Sequence, residues 1–321
     1  MESLPHQELL ARIGRDYYLD NRSKVEIAET YGVSRFQVAR LLEEARASGV
    51  VRIEVSFPRK SGVLDAAALA TALGIDRVVV TDDALDDLAG REILAKAVAG
   101  ELMRTAQPHS TLGISWSRTI DRAAHYVSEL PQCDIVQLAG ALPVAGSKGN
   151  PLELIQRLGR RSGGATWPIW APLVVENAAT AESLARQPEI SEALHRADSL
   201  DLAVIAIGAW TPGLSTVWDR VDNAVRLEAS QAGAVTECSG RLIDVEGKEV
   251  HSGLDSRVIA VTLQQLQNTP AVIAVAQGAA RAPAVLGAVK AGILSTLIMD
   301  HSLAEALIAA VPDSSTSEAD R

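Results

Sequence analysis

The sequence predicts an α/β protein in two parts, a small N-terminal all-α helix-turn-helix domain followed by a larger α/β domain with a mostly parallel sheet. Three observations carry that prediction. The stretch SKVEIAETYGVSRFQVARLLEEARASGVVRIEV, residues 23–55, holds two capped amphipathic helices around a glycine turn. From about Val63, short β-branched runs alternate with longer Ala/Leu-rich segments, the pattern of strands covered by helices. With 47% hydrophobic but only 3% aromatic residues, the core must be built of Ala, Val, Leu and Ile, which suits strands buried on both faces. At 321 residues the chain also exceeds what one core of roughly 250–300 residues usually holds. The expected division is 1–55 helix-turn-helix, 56–62 linker, 63–311 second domain and 312–321 polar tail.

Along the first part, a helix over Gln7–Leu19 offers Leu9, Leu10, Ile13, Tyr17 and Tyr18 to a core. Ser23 then caps a short helix whose Val25, Ile27, Ala28 and Tyr31 face inward, and Gly32 ends it. Val33 plugs the turn, Ser34 caps the second helix, and Val38, Leu41, Leu42 and Ala45 form its buried stripe. Arg35, Gln37 and Arg40 fall on or near the other face, where a recognition helix presents bidentate donors to base edges while Ser23 and Lys24 open the helix that crosses the backbone. The competing reading is an ordinary helical hairpin with solvated arginines. Capping, glycine turn, apolar plug and polar face occurring together favour DNA binding. VVRIEV after Gly49 reads as a strand.

In the second part, strands are expected at 77–81, 111–115, 134–138, 202–208, 257–261, 271–276 and 295–299. Helices are expected at 64–73, 87–106, 117–129, 150–161, 178–195, 279–291 and 302–310. Open parallel sheets bind ligands beyond the carboxyl ends of their strands. There stand WSRTI after TLGIS, with Ser115, Ser117 and Thr119; the small-residue loop AGALPVAGSKGN; Trp210, Thr211 and Pro212; and QGAARA with Arg281.

Composition excludes several function classes. The net charge is -10, yet residues 1–60 carry 10 Lys+Arg against 9 Asp+Glu, leaving 20 against 31 for the remainder. The acidity therefore belongs to the second part, and nucleic acid can meet only a local N-terminal face. Cys133 and Cys238 stand far apart without metal-ligand spacing and read as small buried hydrophobes. No apolar run reaches the ~20 residues of a membrane-spanning helix, and MESLPHQELL lacks a signal peptide's pattern, so the cytoplasm is expected and a membrane is not. His6, His109, His125, His195, His251 and His301 form no HxH or HExxH motif, and GxSxG is absent, so no metal, cofactor or catalytic residue is assigned.

YYLDNRSKVEIAETYGVSRFQVARLLEEARASGVVRIEV resembles the helix-turn-helix of the SorC family of bacterial transcriptional regulators, the DeoR-like sugar-binding regulators. The resemblance continues through GISWSRTI, VQLAGAL, AVIAIGA, ECSGRLIDVEGKEV, AVIAVAQGAARAPAVLGAVKAGILSTLIMD and AEALI, nearly the whole chain. It implies a second domain similar in fold to sugar-phosphate isomerases and deaminases, a sugar, polyol or sugar-phosphate effector, operator DNA as partner, and a homo-oligomer, dimer or tetramer. By the same resemblance GISWSRT implicates Ser115, Ser117 and Arg118, with Thr119 nearby. AGAL implicates Gly140, with Asn150 at the end of its loop. ECSG points to Glu237, and GRLID adds Asp244, which also suits fixing the DVEG turn. AQGAAR ends in Arg281 where a Lys is usual, exchanging a point charge for a planar fork suited to a carboxylate or phosphate. Lys148 in the GSKGN loop has the chemistry to form a Schiff base with an open-chain sugar, but with no sign of burial to lower its pKa it reads as a solvated loop lysine. The expected function is an effector-controlled DNA-binding regulator of carbohydrate metabolism; the alternative is an isomerase- or deaminase-like enzyme with an accessory helix-turn-helix.

Overall fold

The computed structural model describes residues 5–51, 64–84, 86–142 and 150–311. The expected strand at 50–55 beyond Val51, the linker, Lys148 and the tail lie outside the described residues. The chain divides into two compact units, Met1–Pro58 and Arg59–Arg321.

The first unit is a three-helix core: α1 (His6–Tyr18), α2 (Lys24–Tyr31) and α3 (Arg35–Ala47). Leu10, Ile13, Ile27, Val38, Leu41, Leu42 and Ala45 are buried together, while Val25, expected inside, is 53% exposed. At the first turn of an eight-residue helix Val25 falls beside the cap, and Ile27 and Ala28 take the buried face. A buried carboxylate also ties this unit. Asp16 accepts from the Arg22 guanidinium and the Tyr31 hydroxyl, each at 3.0 Å.

In the second unit, α4 (Ala66–Leu73) leads to β1 (Arg77–Thr81), α5 (Asp87–Thr105), β2 (Thr111–Ile114), α6 (Arg118–Ala123), β3 (Asp134–Gln137), α7 (Pro151–Ser162) and β4 (Thr166–Trp167). Then come α8 (Ala178–Ala185), α9 (Pro188–Arg196), β5 (Leu202–Ala206), β6 (Gly208–Ala209), α10 (Asn223–Gln231), β7 (Thr236–Cys238) and β8 (Arg241–Ile243). α11 (Leu263–Gln267), β9 (Ala271–Ala276), α12 (Ala282–Lys290), β10 (Thr296–Asp300) and α13 (His301–Ala310) complete it.

Seven strands form one all-parallel sheet in the order β1-β10-β9-β5-β2-β3-β4. Alternation along the strands feeds two separate cores, as period-2 geometry requires. Ala203, Ile205, Val272, Ala274, Leu297 and Met299 pack on one face. Leu202, Val204, Ile273, Val275 and Ile298 pack on the other. Both Cys133 and Cys238 are buried. Chain direction reverses between β2 and β5: from β2 the strands proceed outward to β3 and β4, and from β5 to β9 and β10. Ligand crevices of open α/β sheets lie at such a reversal.

Four expected elements differ. The strand expected at 202–208 divides at Ile207 into β5 of the large sheet and β6 of a second one. The run 257–261 is not a sheet strand. Its backbone pairs instead with two connections, Gly140 N–H donating to the Ile259 carbonyl and Ile259 N–H to the Leu173 carbonyl, each at 2.9 Å. The helix expected over 178–195 breaks before Pro188, which has no N–H to continue it and opens α9. The helix expected at 117–129 stops at Ala123. Not foreseen is a three-stranded antiparallel sheet, β6-β7-β8, with Gly208 opposite Glu237 and Cys238 opposite Arg241. Its β7–β8 turn sets Ser239 at φ 52° and Gly240 at φ 82°, the two-positive-φ hairpin whose twist matches the strands.

Candidate functional site

In the N-terminal unit, Ser23 and Ser34 each close a capping box, with Glu26 and Gln37 respectively. Gln37 Oε1 accepts the Ser34 N–H at 2.8 Å, so its amide nitrogen is the group left to donate outward. Lys24, Arg35, Gln37 and Arg40 are exposed. The Lys24 ammonium lies 5.6 Å from the Tyr17 ring centre, and the Arg35 guanidinium 4.8 Å from that of Phe36. Phe36 is 73% exposed. Its signal in the sequence was an aromatic at the second residue of α3, off the buried stripe.

In the second unit, a cavity opens at the reversal point of the sheet, beyond the carboxyl ends of β2, β3, β5 and β9. Of the residues singled out from sequence, Ser115, Ser117, Arg118, Thr119, Gly140, Glu237 and Arg281 line it together. Asn150 and Asp244 do not, nor do Trp210, Thr211 and Pro212, which were placed at a strand end from sequence; Trp210 is buried in the core instead. Asn150 caps α7, its Oδ1 accepting the Leu152 N–H at 3.0 Å. Asp244 fixes the turn after β8, its Oδ1 accepting the Glu246 and Lys248 N–H groups at 2.9 Å each. Residues not singled out also line the cavity, among them Arg91, Ser215, Asp219 and Ser239.

Glu237 enters because β7 pairs with β6, which continues directly from β5. Its carboxylate accepts the Ser215 hydroxyl at 3.0 Å and the Gly240 N–H at 2.8 Å. Burial pushes this carboxyl above the ordinary range, and the two donors only partly oppose the shift. Among the described residues no cation lies within salt-bridge distance of it. A Cβ on Gly208 would come 3.1 Å from Glu237 Oε2 and from the Leu214 carbonyl, a tight approach that glycine avoids. Ser115 and Ser239 join the floor through a 2.9 Å contact between their hydroxyls. Gly140 packs against the chain at Pro172, where a Cβ would meet the carbonyl oxygen at 2.6 Å.

The cationic side is built from Arg91, Arg118 and Arg281. Arg281 donates to the Gln277 carbonyl and, at 3.4 Å, to the Leu214 carbonyl. Its affinity for a proton is lowered by burial first, then by Arg118. Trp116, whose indole N–H is buried without a partner, also lines the cavity. The arrangement joins donors for an anion to a buried carboxyl group and hydroxyls that suit a polyhydroxyl body. The Cys238 thiol beside it, pushed up to about 12 by burial and by Glu237, stays neutral and takes no part in charge recognition.

The family model described as a putative sugar-binding domain matches residues 63–309. The transcriptional regulator LsrR of Enterobacter sp. (strain 638) is 26% identical over 311 residues, covering 96% of this chain and 94% of the relative. The uncharacterized transcriptional regulator YjhU of Escherichia coli (strain K12) is 26% identical over 303 residues, covering 91% and 92%. The full-length sorbitol operon regulator SorC from Klebsiella pneumoniae shares the fold, with a TM-score of 0.72 at 19% identity over 95% of this chain and 100% of that one. The chain thus belongs to the family of the putative sugar-binding domain, that of the SorC/DeoR-like transcriptional regulators.

Proposed function

We infer that this protein is a DNA-binding transcriptional regulator of carbohydrate metabolism whose operator affinity is set by a sugar, polyol or sugar phosphate. The observation that carries the effector half is the convergence of four strand-end loops on one cavity that holds arginines beside a buried glutamic acid, the arginines having no carboxylate within salt-bridge distance among the described residues. Arg118 and Arg281 take the anionic end of the effector, with Ser117 and Thr119 beside them. Glu237, Ser115 and Gly140 line the part that receives hydroxyls. Asn150 and Asp244 act indirectly, by shaping a helix start and a turn.

The DNA half rests on α2 and α3. Arg35, Gln37 and Arg40 face the major groove and Lys24 the backbone, while Ser23 and Ser34 hold the helix starts that aim them. A homo-oligomer, dimer or tetramer, matches two recognition helices to half-sites. An effector that binds one arrangement better than another shifts operator affinity by its differential binding energy. The setting is cytoplasmic; among the described residues no helix is long and apolar enough to cross a membrane. The relatives named above are transcriptional regulators, which supports this reading over an isomerase- or deaminase-like enzyme.

The test is operator binding by fluorescence anisotropy at fixed salt, on DNA flanking the gene, with a panel of sugars, polyols and their phosphates. One compound should shift affinity, and Arg281→Ala or Glu237→Gln should abolish that shift without abolishing DNA binding. Specific DNA binding indifferent to every compound refutes the effector half, and absence of specific DNA binding refutes the regulator reading.

A further inference from the structure

Phe36 is the second residue of α3 and is 73% exposed. Among the described residues of the N-terminal unit it is the one exposed aromatic side chain; Tyr17, Tyr18 and Tyr31 are half-buried against the three-helix core. That core is complete without it. Val38, Leu41, Leu42 and Ala45 supply the buried stripe of α3, and Phe36 neither joins them nor packs against them. The exposed residues around it in sequence are Ser34, Arg35, Gln37 and Arg40, the last one helical turn further on. The Arg35 guanidinium stands over its ring, 4.8 Å from the centre.

Cations and hydrogen-bond donors around an exposed ring suit a polyanion better than an apolar protein surface. The base edges in the major groove present hydrogen-bonding groups almost throughout; the C5-methyl group of thymine is the apolar exception, and a phenyl ring is among the groups that cover it. The first turn of a recognition helix is the part that reaches those edges. Here that turn is held by the reciprocal bonds of Ser34 and Gln37, at 2.8 and 3.2 Å, which fix the backbone from which Phe36 projects. The stacked Arg35 restricts the ring in turn, so less conformational freedom remains to be lost on binding.

We propose that Phe36 is a specificity-determining residue that reads the C5-methyl group of a thymine in the operator. The proposal rests on the DNA-binding reading above, and it gives the recognition surface an apolar contact that its arginines, which bind phosphates as well as bases, do not supply.

The probe is a duplex that the full chain selects from a randomised library, with each thymine replaced in turn by deoxyuridine, which pairs alike and lacks the methyl group. Affinity is read by fluorescence anisotropy at fixed salt. In the wild-type chain one replacement in each half-site should weaken binding about fourfold, the scale of one buried methyl group. Phe36→Ala should weaken binding to the thymine duplex by at least as much and should no longer distinguish thymine from deoxyuridine at that position. Phe36→Leu, still apolar, should keep part of the distinction. Neither variant removes a charge, so the slope of log affinity against log salt should stay unchanged. Ala is a better helix former than Phe, and unchanged circular dichroism and melting establish that the variants fold. A ring that only props Arg35, or that seats on another protein surface, would in Phe36→Ala weaken both duplexes equally and leave the methyl effect in place. That result overturns the proposal, as does a wild-type chain indifferent to every replacement. Failure to select any duplex sinks the regulator reading itself, whereas a selected duplex without a Phe36-dependent methyl effect sinks only this assignment.

Discussion

Replacing Glu237 with Gln should make the protein's stability depend less on pH, in a direction set by where the proton sits. The carboxyl is buried in β7, held by Ser215 and Gly240, and its pKa is raised, chiefly by burial. A carboxyl with a raised native pKa favours folding fully below its unfolded value, taken as 4.5, and loses that advantage as pH rises toward the native value. Within that window the unfolded chain releases a proton that the native chain keeps, so the unfolding constant grows tenfold per pH unit. For a domain of this size that corresponds to about 3–5 °C of melting temperature per unit. Gln is nearly isosteric and carries no titrating proton. The melting temperature of Glu237→Gln minus that of the wild type should therefore climb by that amount per unit as pH is raised from about 4.5 toward neutrality, since all other groups are common to both chains. Differential scanning fluorimetry in buffers of matched ionic strength measures it. A difference that stays flat across the range would mean that Glu237 ionises in the native protein as it does in the unfolded chain, and the account of its burial would be wrong.

Other perturbations have equally definite outcomes. Ser34→Ala removes the α3 cap and should cost about 1 kcal/mol in the first unfolding transition, read by urea denaturation, and should weaken operator binding with it. Arg40→Ala should lower operator affinity and reduce the slope of log affinity against log salt by about one if Arg40 meets a phosphate; an unchanged slope with altered sequence preference would assign it to a base. Asp16→Asn leaves the Arg22 guanidinium without its carboxylate and should destabilise the N-terminal unit by roughly 1–3 kcal/mol, below the cost of a fully buried pair because Arg22 is partly exposed. Gly140→Ala puts a Cβ 2.6 Å from the Pro172 carbonyl oxygen and should cost roughly 1–3 kcal/mol in the second unit, seen as a lowered denaturation midpoint.

The parts legible in the sequence were those with a strong local cause. Ser23, Ser34 and Gly32 announce helix ends by chemistry that acts within a few residues, and the apolar runs at 202–206, 271–276 and 296–300 announce strands because a parallel sheet buries both faces. Segment 257–261 carries the same apolar signal for a different reason: Ile259 and Val261 are buried by the connections they pair with, and composition does not distinguish that partner from a sheet. The β6-β7-β8 sheet was hidden because its strands have only two or three residues each and β6 pairs with β7 across about 30 residues of chain. For the cavity, residues at strand ends were visible as a set, since topology alone places Ser115, Gly140 and Arg281 at one edge. Arg91 was not, because an arginine in an amphipathic helix has the same local appearance whether it meets water or a ligand.

The run from Leu202 to Ala209 serves both sheets with Ile207 alone between β5 and β6. Such a shared run limits how the family's members can diverge. A Cβ at Gly208 would sit 3.1 Å from Glu237 Oε2 and from the Leu214 carbonyl, so both would have to give by a few tenths of an ångström, and a shift of Ile207 would disturb its bond to the Val275 carbonyl. The turn Gly213–Asp219 and the loop after β9 present side chains instead, Ser215 bonding Glu237 and Gln277 bonding the Asp87 backbone carbonyl. Substitutions in those two places exchange one side-chain chemistry for another while the strand frame stays whole.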